Sequence, residues 1–416
     1  MTAADLAQAL LAAVRAQRFE QTADARQGGA PVGLHPSIDL AVAAFPAAAS
    51  SSSTPTACFA NVLFSREHPQ GWVADIGANA GAVRDVAFLA DAQDGAGNSI
   101  AWLPGSDWQT IPWQPLTGHG PRRFVSPYPA SLLKLMVLVG LAWLVDLGRT
   151  SWEQPIPFAG RQRPLADWAF DMITVSSNEA TSALVAHLHA IGAIRRVAGI
   201  EVHNELHELF LALGLPGLRF ANTQADGGWG NAAGAGVGQL QMTAWDTLRL
   251  LWWLDPQAPP LPWLAGSSAP TLSDASRCQV LHCLREQGLH EILSSSLLAG
   301  QPGWVAGLPA RLSARWLLAD GSAQVGNTAF PGDLRRFTRQ GLVFAHKTGN
   351  TENYSADAGI VNGVSTGSQP ERRHYLIALT SNLGSRYAPD PGLSTTWRLP
   401  ALGAAIDDFL RLQLGD

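Results

Sequence analysis

Lysine is almost absent from this 416-residue chain: it occurs twice, at Lys134 and Lys347, and leaves 26 arginines to carry every other basic charge. Cysteine is scarce as well, with Cys58, Cys278 and Cys283 alone. Three thiols exclude a disulfide framework, and Cys278 and Cys283, five apart on an expected helix, face different directions; buried thiols are the expectation. Charged residues make up 15% of the chain and the net charge is −5, which argues against a nucleic-acid partner. The pairs Arg195-Arg196 and Arg372-Arg373 read as solvated surface rather than a phosphate track. No apolar run approaches a membrane span, and the longest, Leu135 to Val145, falls far short. The N-terminal MTAADLAQALLAAVRAQ has no basic stretch ahead of its apolar residues, so it reads as an amphipathic helix and not as an ordinary signal peptide. The chain as given is expected to be cytoplasmic, or periplasmic if an export signal was trimmed from it.

What is present is concentrated around the two lysines. Lys134 closes Ser131-Leu132-Leu133-Lys134, an S-x-x-K, and Lys347 opens Lys347-Thr348-Gly349, a K-T-G. Between them stands Ser176-Ser177-Asn178, an S-x-N. S-x-N alone is weak, but the three in this order are rarely an accident. An arginine stays charged in a protein, whereas an amine loses its proton when desolvated or crowded by another cation. The sequence therefore keeps its two deprotonable amines for chemistry.

At 44.1 kDa and 46% apolar residues the chain suffices for a large core and two lobes. Residues 26–57 are rich in Gly, Pro, Ala and Ser and read as a loop or linker. Strand-like stretches follow at Ala57–Phe64, Gly71–Ile76 and Asp85–Ala92, with a fourth at Ser99–Leu103. Pro127 and Pro129 then precede an almost wholly apolar helix from Ser131 to about Leu147, whose composition places it in the interior. Further helices are expected at Leu165–Val175, Asn178–Ile191, His203–Leu213, Thr243–Leu254 and Ser273–Glu286. Residues 300–340 read as irregular. Strands at Leu342–His346, Ala356–Val364 and Tyr375–Ser381 and a helix at Leu399–Leu414 close the chain. The expected division is an N-terminal helix-and-loop extension over 1–57, a sheet lobe from 58–125 and 341–416, and a helical lobe over 126–340 with a Pro/Gly-rich insertion near 255–340. No internal repeat is visible.

The chemistry follows from the residue types. A serine hydroxyl needs a base to become a nucleophile, and Ser131 and Lys134, three apart on a helix, share a face. Lys134 serves as that base if burial and the charge of Lys347 lower its pKa. Lys347 stays charged and holds a substrate carboxylate, and Thr348 adds a hydroxyl donor. Gly349 lets substrate lie along an edge strand. The backbone N–H groups of Ser131 and Asn350 form an oxyanion hole. Ser176 relays a proton to the leaving group, and Asn178 binds a substrate amide, although taken alone both are better read as helix N-caps.

The segments Pro129-Ala130-Ser131-Leu132-Leu133-Lys134, Met172-Ile173-Thr174-Val175-Ser176-Ser177-Asn178 and His346-Lys347-Thr348-Gly349 resemble the penicillin-recognising serine hydrolases, closest to class A β-lactamases. The resemblance covers roughly residues 85–416. It implies an α+β fold of the β-lactamase/transpeptidase type: a five-stranded antiparallel sheet flanked by helices, an inserted all-helical lobe, and the site in the cleft between. Two departures stand out. Ser177 occupies the place of an aspartate, and the stretch Phe220 to Leu240, where class A enzymes carry the glutamate that activates the deacylating water, contains none. Asp226, followed by Asn231, is the acid available there for deacylation; a turn role in Asp226-Gly227-Gly228 is at least as well supported.

Other features point elsewhere only weakly. His187 with His189, and His203 with His207, lack a third ligand, so no metal is expected. The 15 tryptophans suit packing better than a sugar cleft, above all Trp252-Trp253, and Tyr354 is a weak candidate for the cleft border. The expected function is a serine hydrolase acting through a Ser131 acyl-enzyme on a β-lactam or related amide or ester, with a small-molecule acyl substrate and no metal or organic cofactor. Its rivals are a cytoplasmic esterase or amidase, a D-alanyl carboxypeptidase, and a β-lactam receptor that acylates once. Nothing in the sequence bears on oligomeric state.

Overall fold

The computed structural model describes residues 1–46, 57–77, 79–95, 98–102, 105–336, 341–364 and 373–415. Residues 47–56 of the expected linker, Leu103 and Arg372 lie outside these residues. The strands used below are β1 (Ile38–Ala44), β2 (Cys58–Phe64), β3 (Trp72–Val73), β4 (Val86–Ala90), β5 (Pro115–Thr117), β6 (Arg122–Ser126), β7 (Leu342–Asn350), β8 (Ser355–Gly363) and β9 (His374–Ser381). The helices are α1 (Ala3–Ala16), α2 (Lys134–Asp146), α3 (Leu165–Thr174), α4 (Asn178–Ala190), α5 (Glu205–Ala212), α6 (Ala244–Leu254), α7 (Asp274–Arg285) and α8 (Arg398–Leu414).

One antiparallel sheet organises the molecule, in the order β7-β8-β9-β1-β2-β3. The alternation of the pleat sends Leu40, Val42, Phe344, Ile377 and Leu379 to one face, where they pack with Leu6, Leu10 and Val14 of α1 and Leu402, Ile406 and Leu410 of α8. The opposite face presents smaller residues, Ala41, Ala43, Ala345, Ala358 and Ala378, to the helical lobe. Small side chains there let α6 and the start of α2 approach the sheet closely. Helix α2 is the axis of that lobe, with Lys134 through Ala142 and Leu144 all buried. Each fully buried Leu or Met contributes about 1.5–3 kcal/mol. Gly140 is required where α5 crosses, because a Cβ there would lie 2.4 Å from Leu206 Cγ. Trp168, Trp245 and Trp252 fill the same core.

The fold is α+β with an antiparallel sheet, as expected, and it differs from the sequence reading in places. The sheet has six strands where five were expected, the sixth being the two-residue β3. Ile38–Ala44, read as part of a loop or linker within an N-terminal extension, is a central strand paired with β9 and β2, and α1 covers the sheet's outer face. All seven residues of that strand are buried, so its sequence shows no alternation to betray it. The expected strand at Asp85–Ala92 joins a separate three-stranded sheet, β5-β4-β6. Ile100–Trp102 is a 3-10 turn and not a strand. The expected helix at His203–Leu213 begins two residues late: His203 lies on the strand Ile200–Asn204, and Asn204 caps α5. Residues 323–330, read as irregular, contain the hairpin Ala323–Val325/Thr328–Phe330. Among the thiols, Cys58 and Cys283 are buried but Cys278 is exposed.

Candidate active site

Three chain segments meet at the end of β7. The first is a 3-10 turn, Ala130–Leu133, that leads into α2 and carries Ser131. Ala130 enters it with φ +49°, a left-handed conformation that costs an alanine about 1–3 kcal/mol. The second is the junction of α3 and α4, where Ser176 also takes a positive φ, +56°. Two strained non-glycine residues at one site indicate that the surroundings over-determine its geometry. The third is β7 itself. Its Gly349 packs directly on the Ser131 turn: a Cβ would fall 2.4 Å from Pro129 O, 2.6 Å from Leu132 N and 3.0 Å from Ser131 N. Any side chain at 349 would push the strand off the turn, and Asn350 follows immediately.

Both lysines are fully buried. Lys134 Nζ donates to Ser176 O at 2.7 Å, Ser176 Oγ at 3.2 Å and Asn178 Oδ1 at 2.8 Å. Lys347 Nζ donates to Ser176 Oγ at 3.0 Å and Thr348 O at 2.8 Å. The Ser176 hydroxyl therefore stands between the two amines and is bonded to both. Ser177, not Ser176 or Asn178, caps α4 by accepting from Ala180 N at 3.1 Å. That division leaves the flanking side chains free for Lys134. The Ser131 hydroxyl is partly exposed and makes no hydrogen bond among the described residues; the structure brings Lys134 to Ser176 and Asn178 rather than to Ser131.

Burial, reinforced by the charge of Lys347, holds Lys134 well below the ordinary lysine value. Burial lowers Lys347 to about 7, against the opposing pull of Asp357 and Glu291. Of the two amines, Lys347 has carboxylates that favour its charged form, and the charge it keeps disfavours a second one on Lys134. With Lys134 neutral, Ser176 Oγ can accept from Lys347 and donate its own hydrogen to Lys134, which leaves a chain of donors running from one amine to the other. Behind β7 a buried polar cluster backs the strand. Asp357 accepts from Leu293 N at 3.0 Å and lies 2.7 Å from His346 Nδ1. His290 meets His346 edge to face at 4.5 Å.

The remaining candidates fall out differently. Thr348 is buried beside its register partner Asp357. The Asn350 side chain turns to Ser394 O and, at 3.4 Å, to Ser355 Oγ, so only its backbone N–H remains for an oxyanion. Asp226 is exposed and accepts from Gly228 N at 3.0 Å, the turn role weighed against deacylation. Asn231 bonds to Gln93 Oε1 and Val237 N, both at 2.8 Å. Among the described residues no hydrogen bond joins either of them to Ser131, Lys134 or Ser176. Tyr354 is buried, with its hydroxyl on Asp91, and does not border a cleft. His187 and His189 bond to Thr150 and Thr223, and the described residues contain no cluster of three or more metal-ligating side chains.

Sequence reasoning missed Trp229, whose ring lies 5.4 Å from Lys134 Nζ. It also missed Asp357 and Glu291, whose charges act on Lys347. Strand register signals Asp357, since it pairs with Thr348; no local pattern signals the other two.

No family model matches the chain, and no curated protein matches it. Among solved structures it is similar to PBP-A, with 18% identity, 68% of this chain and 82% of that one covered, and a TM-score of 0.41. It is also similar to a β-lactamase from Sphaerobacter thermophilus DSM 20745, with 15% identity, coverage of 68% and 81%, and a TM-score of 0.41. For TLA-1 extended-spectrum β-lactamase the values are 12%, 97% and 99%, and 0.45. No helix among the described residues is long and apolar enough to cross a membrane. At these identities and scores the weight of a functional reading falls on the site itself.

Proposed function

We propose that the protein is a serine hydrolase that forms an acyl-enzyme on Ser131 with a β-lactam or a related amide or ester. The observation that carries this reading is the Ser176 hydroxyl held between two fully buried amines, one of them a single helical turn from Ser131. A purely structural role would not leave two desolvated amines sharing one hydroxyl, since each costs several kcal/mol to bury charged.

In this reading neutral Lys134 takes the Ser131 proton as Oγ attacks the acyl carbon. The backbone N–H groups of Ser131 and Asn350 receive the oxyanion. The proton then passes to the leaving group by way of Ser176, with charged Lys347 supporting the transfer. Lys347 and Thr348 orient the substrate, Gly349 gives it room along β7, and Asn178 both holds Lys134 and binds the substrate amide. Asp226 and Asn231 have no part in this scheme, being engaged in the loop.

A receptor that acylates once is the second reading, favoured by the loop 221–239 bringing an indole, Trp229, and no acid to Lys134. The test of the first is intact-protein mass after addition of benzylpenicillin and, separately, a fluorophosphonate. A mass increase that Ser131→Ala abolishes is expected; labelling that survives Ser131→Ala removes the proposal.

A further inference from the structure

The loop 221–239 joins the two strands of the hairpin Leu218–Phe220/Leu240–Met242 and carries Trp229 onto Lys134. Its conformation is fixed by bonds within the loop and to its neighbours. Gln224 N donates to Gly228 O at 2.8 Å, and Gln224 Nε2 reaches Ala233 O at 2.9 Å. Gly227 has φ +94° and rests on α4, where a Cβ would lie 2.4 Å from Ser182 O. On the far side, Gln114 Nε2 donates to Gly238 O at 3.1 Å and Asn231 holds Gln93. The indole is thus seated on the amine by a braced loop and packs against the helical-lobe core.

Hydrolysis of an acyl-enzyme needs a water next to the ester and a group with a free lone pair to take its proton. Water's oxygen bonds to the acyl carbon, its proton goes to the base, and Ser131 Oγ leaves with a proton returned to it. An indole offers a donor only and cannot act as that base. The loop's acid, Asp226, points into its own turn.

Resting on the acyl-enzyme reading of Ser131, we propose that Trp229 is the residue that keeps water from the acyl-enzyme, so that the acyl group stays on Ser131 long after the leaving group has gone. Trp229 governs the lifetime of the intermediate and leaves its formation to Ser131, Lys134 and Ser176.

The test uses the full chain and benzylpenicillin, with excess drug removed and the adduct followed by mass. The parent adduct is expected to persist for minutes or longer. Trp229→Ala is expected to shorten its lifetime at least tenfold and Trp229→Glu further, with the rate of acylation changed less than threefold. Trp229→Phe restores the parent lifetime, which a general loosening of the loop would not do. Trp229→Gln, of nearer bulk, replaces the alanine variant if that one does not fold, and it too shortens the lifetime. Lifetimes within twofold of the parent in the Ala, Gln and Glu variants, or a parent adduct that clears within seconds, overturn the inference and leave the acyl-enzyme intact. Absence of any Ser131 adduct in the parent overturns the acyl-enzyme reading and this inference with it.

Discussion

Along one wall of the site, from Lys134 through Ser176 to Lys347, the polar side chains turn to one another and the two lysines are buried; along the loop 221–239 they turn to the loop and its far neighbours. Asn178 and Ser176 hold Lys134, and Ser176 holds Lys347. Asp226, Asn231 and Gln224 spend their hydrogen bonds on Gly228, Val237 and Ala233, and what the loop offers the site is an indole. On the proposed reading the first wall supplies the groups for putting an acyl group on Ser131, and the second offers no base for taking it off with water. The two steps of such a reaction draw on different segments of chain, so a site can be equipped for one without the other.

Breaking the first wall should have the largest effect. Lys134→Ala removes the base and two of the three hydrogen bonds at Ser176, and acylation is expected to fall by about 10²–10⁴-fold in stopped-flow or mass-resolved kinetics. Retention of the parent rate would move the base elsewhere. Gly349→Ala comes next. Its Cβ clashes with backbone atoms of the Ser131 turn, which cannot rotate away, so a stability loss of about 1–3 kcal/mol in denaturant unfolding and a matching fall in acylation are expected.

The wall is also sensitive to pH. Acylation requires Lys347 charged, and its pKa lies at about 7, so the rate should decline as pH rises through that value; a rate that climbs steadily to pH 9 would contradict the assignment. The same shift acts on stability with the opposite sense. Between about 7 and the ordinary lysine value of 10.5, the unfolded chain binds the proton that folded Lys347 has released, so stability rises with pH over that window. Lys347→Met should remove a slope of up to about 1.4 kcal/mol per pH unit. The smallest effect sharpens the comparison. Ser177→Ala deletes the α4 cap, at a cost of about 0.5–2 kcal/mol, and should perturb the site only through Asn178.

How much of this was legible in the sequence follows from where each signal resides. That Lys134, Ser176, Asn178 and Lys347 meet was legible from the S-x-x-K, S-x-N and K-T-G motifs, which the rarity of lysine made conspicuous; the bonds of Lys134 to Ser176 and Asn178 rather than Ser131 were not. The terminal strands were legible from their patterning and turn signals. Ile38–Ala44 was hidden because a strand covered on both faces has no polar side to mark it. His203 was misassigned because apolar spacing continues across the strand–helix boundary that Asn204 sets with its cap. Asp226 carried two meanings, and its hydrogen bond to Gly228 decides for the turn. Trp229 was illegible, since among 15 tryptophans only the closure of the loop over Lys134 distinguishes it.

The most direct test of the central claim is the time course of intact mass after benzylpenicillin is added to the parent chain and to Ser131→Ala. A single adduct in the parent, absent from Ser131→Ala and slow to clear, is the predicted result. Equal labelling of both proteins, or none of either by benzylpenicillin and fluorophosphonate alike, would contradict it.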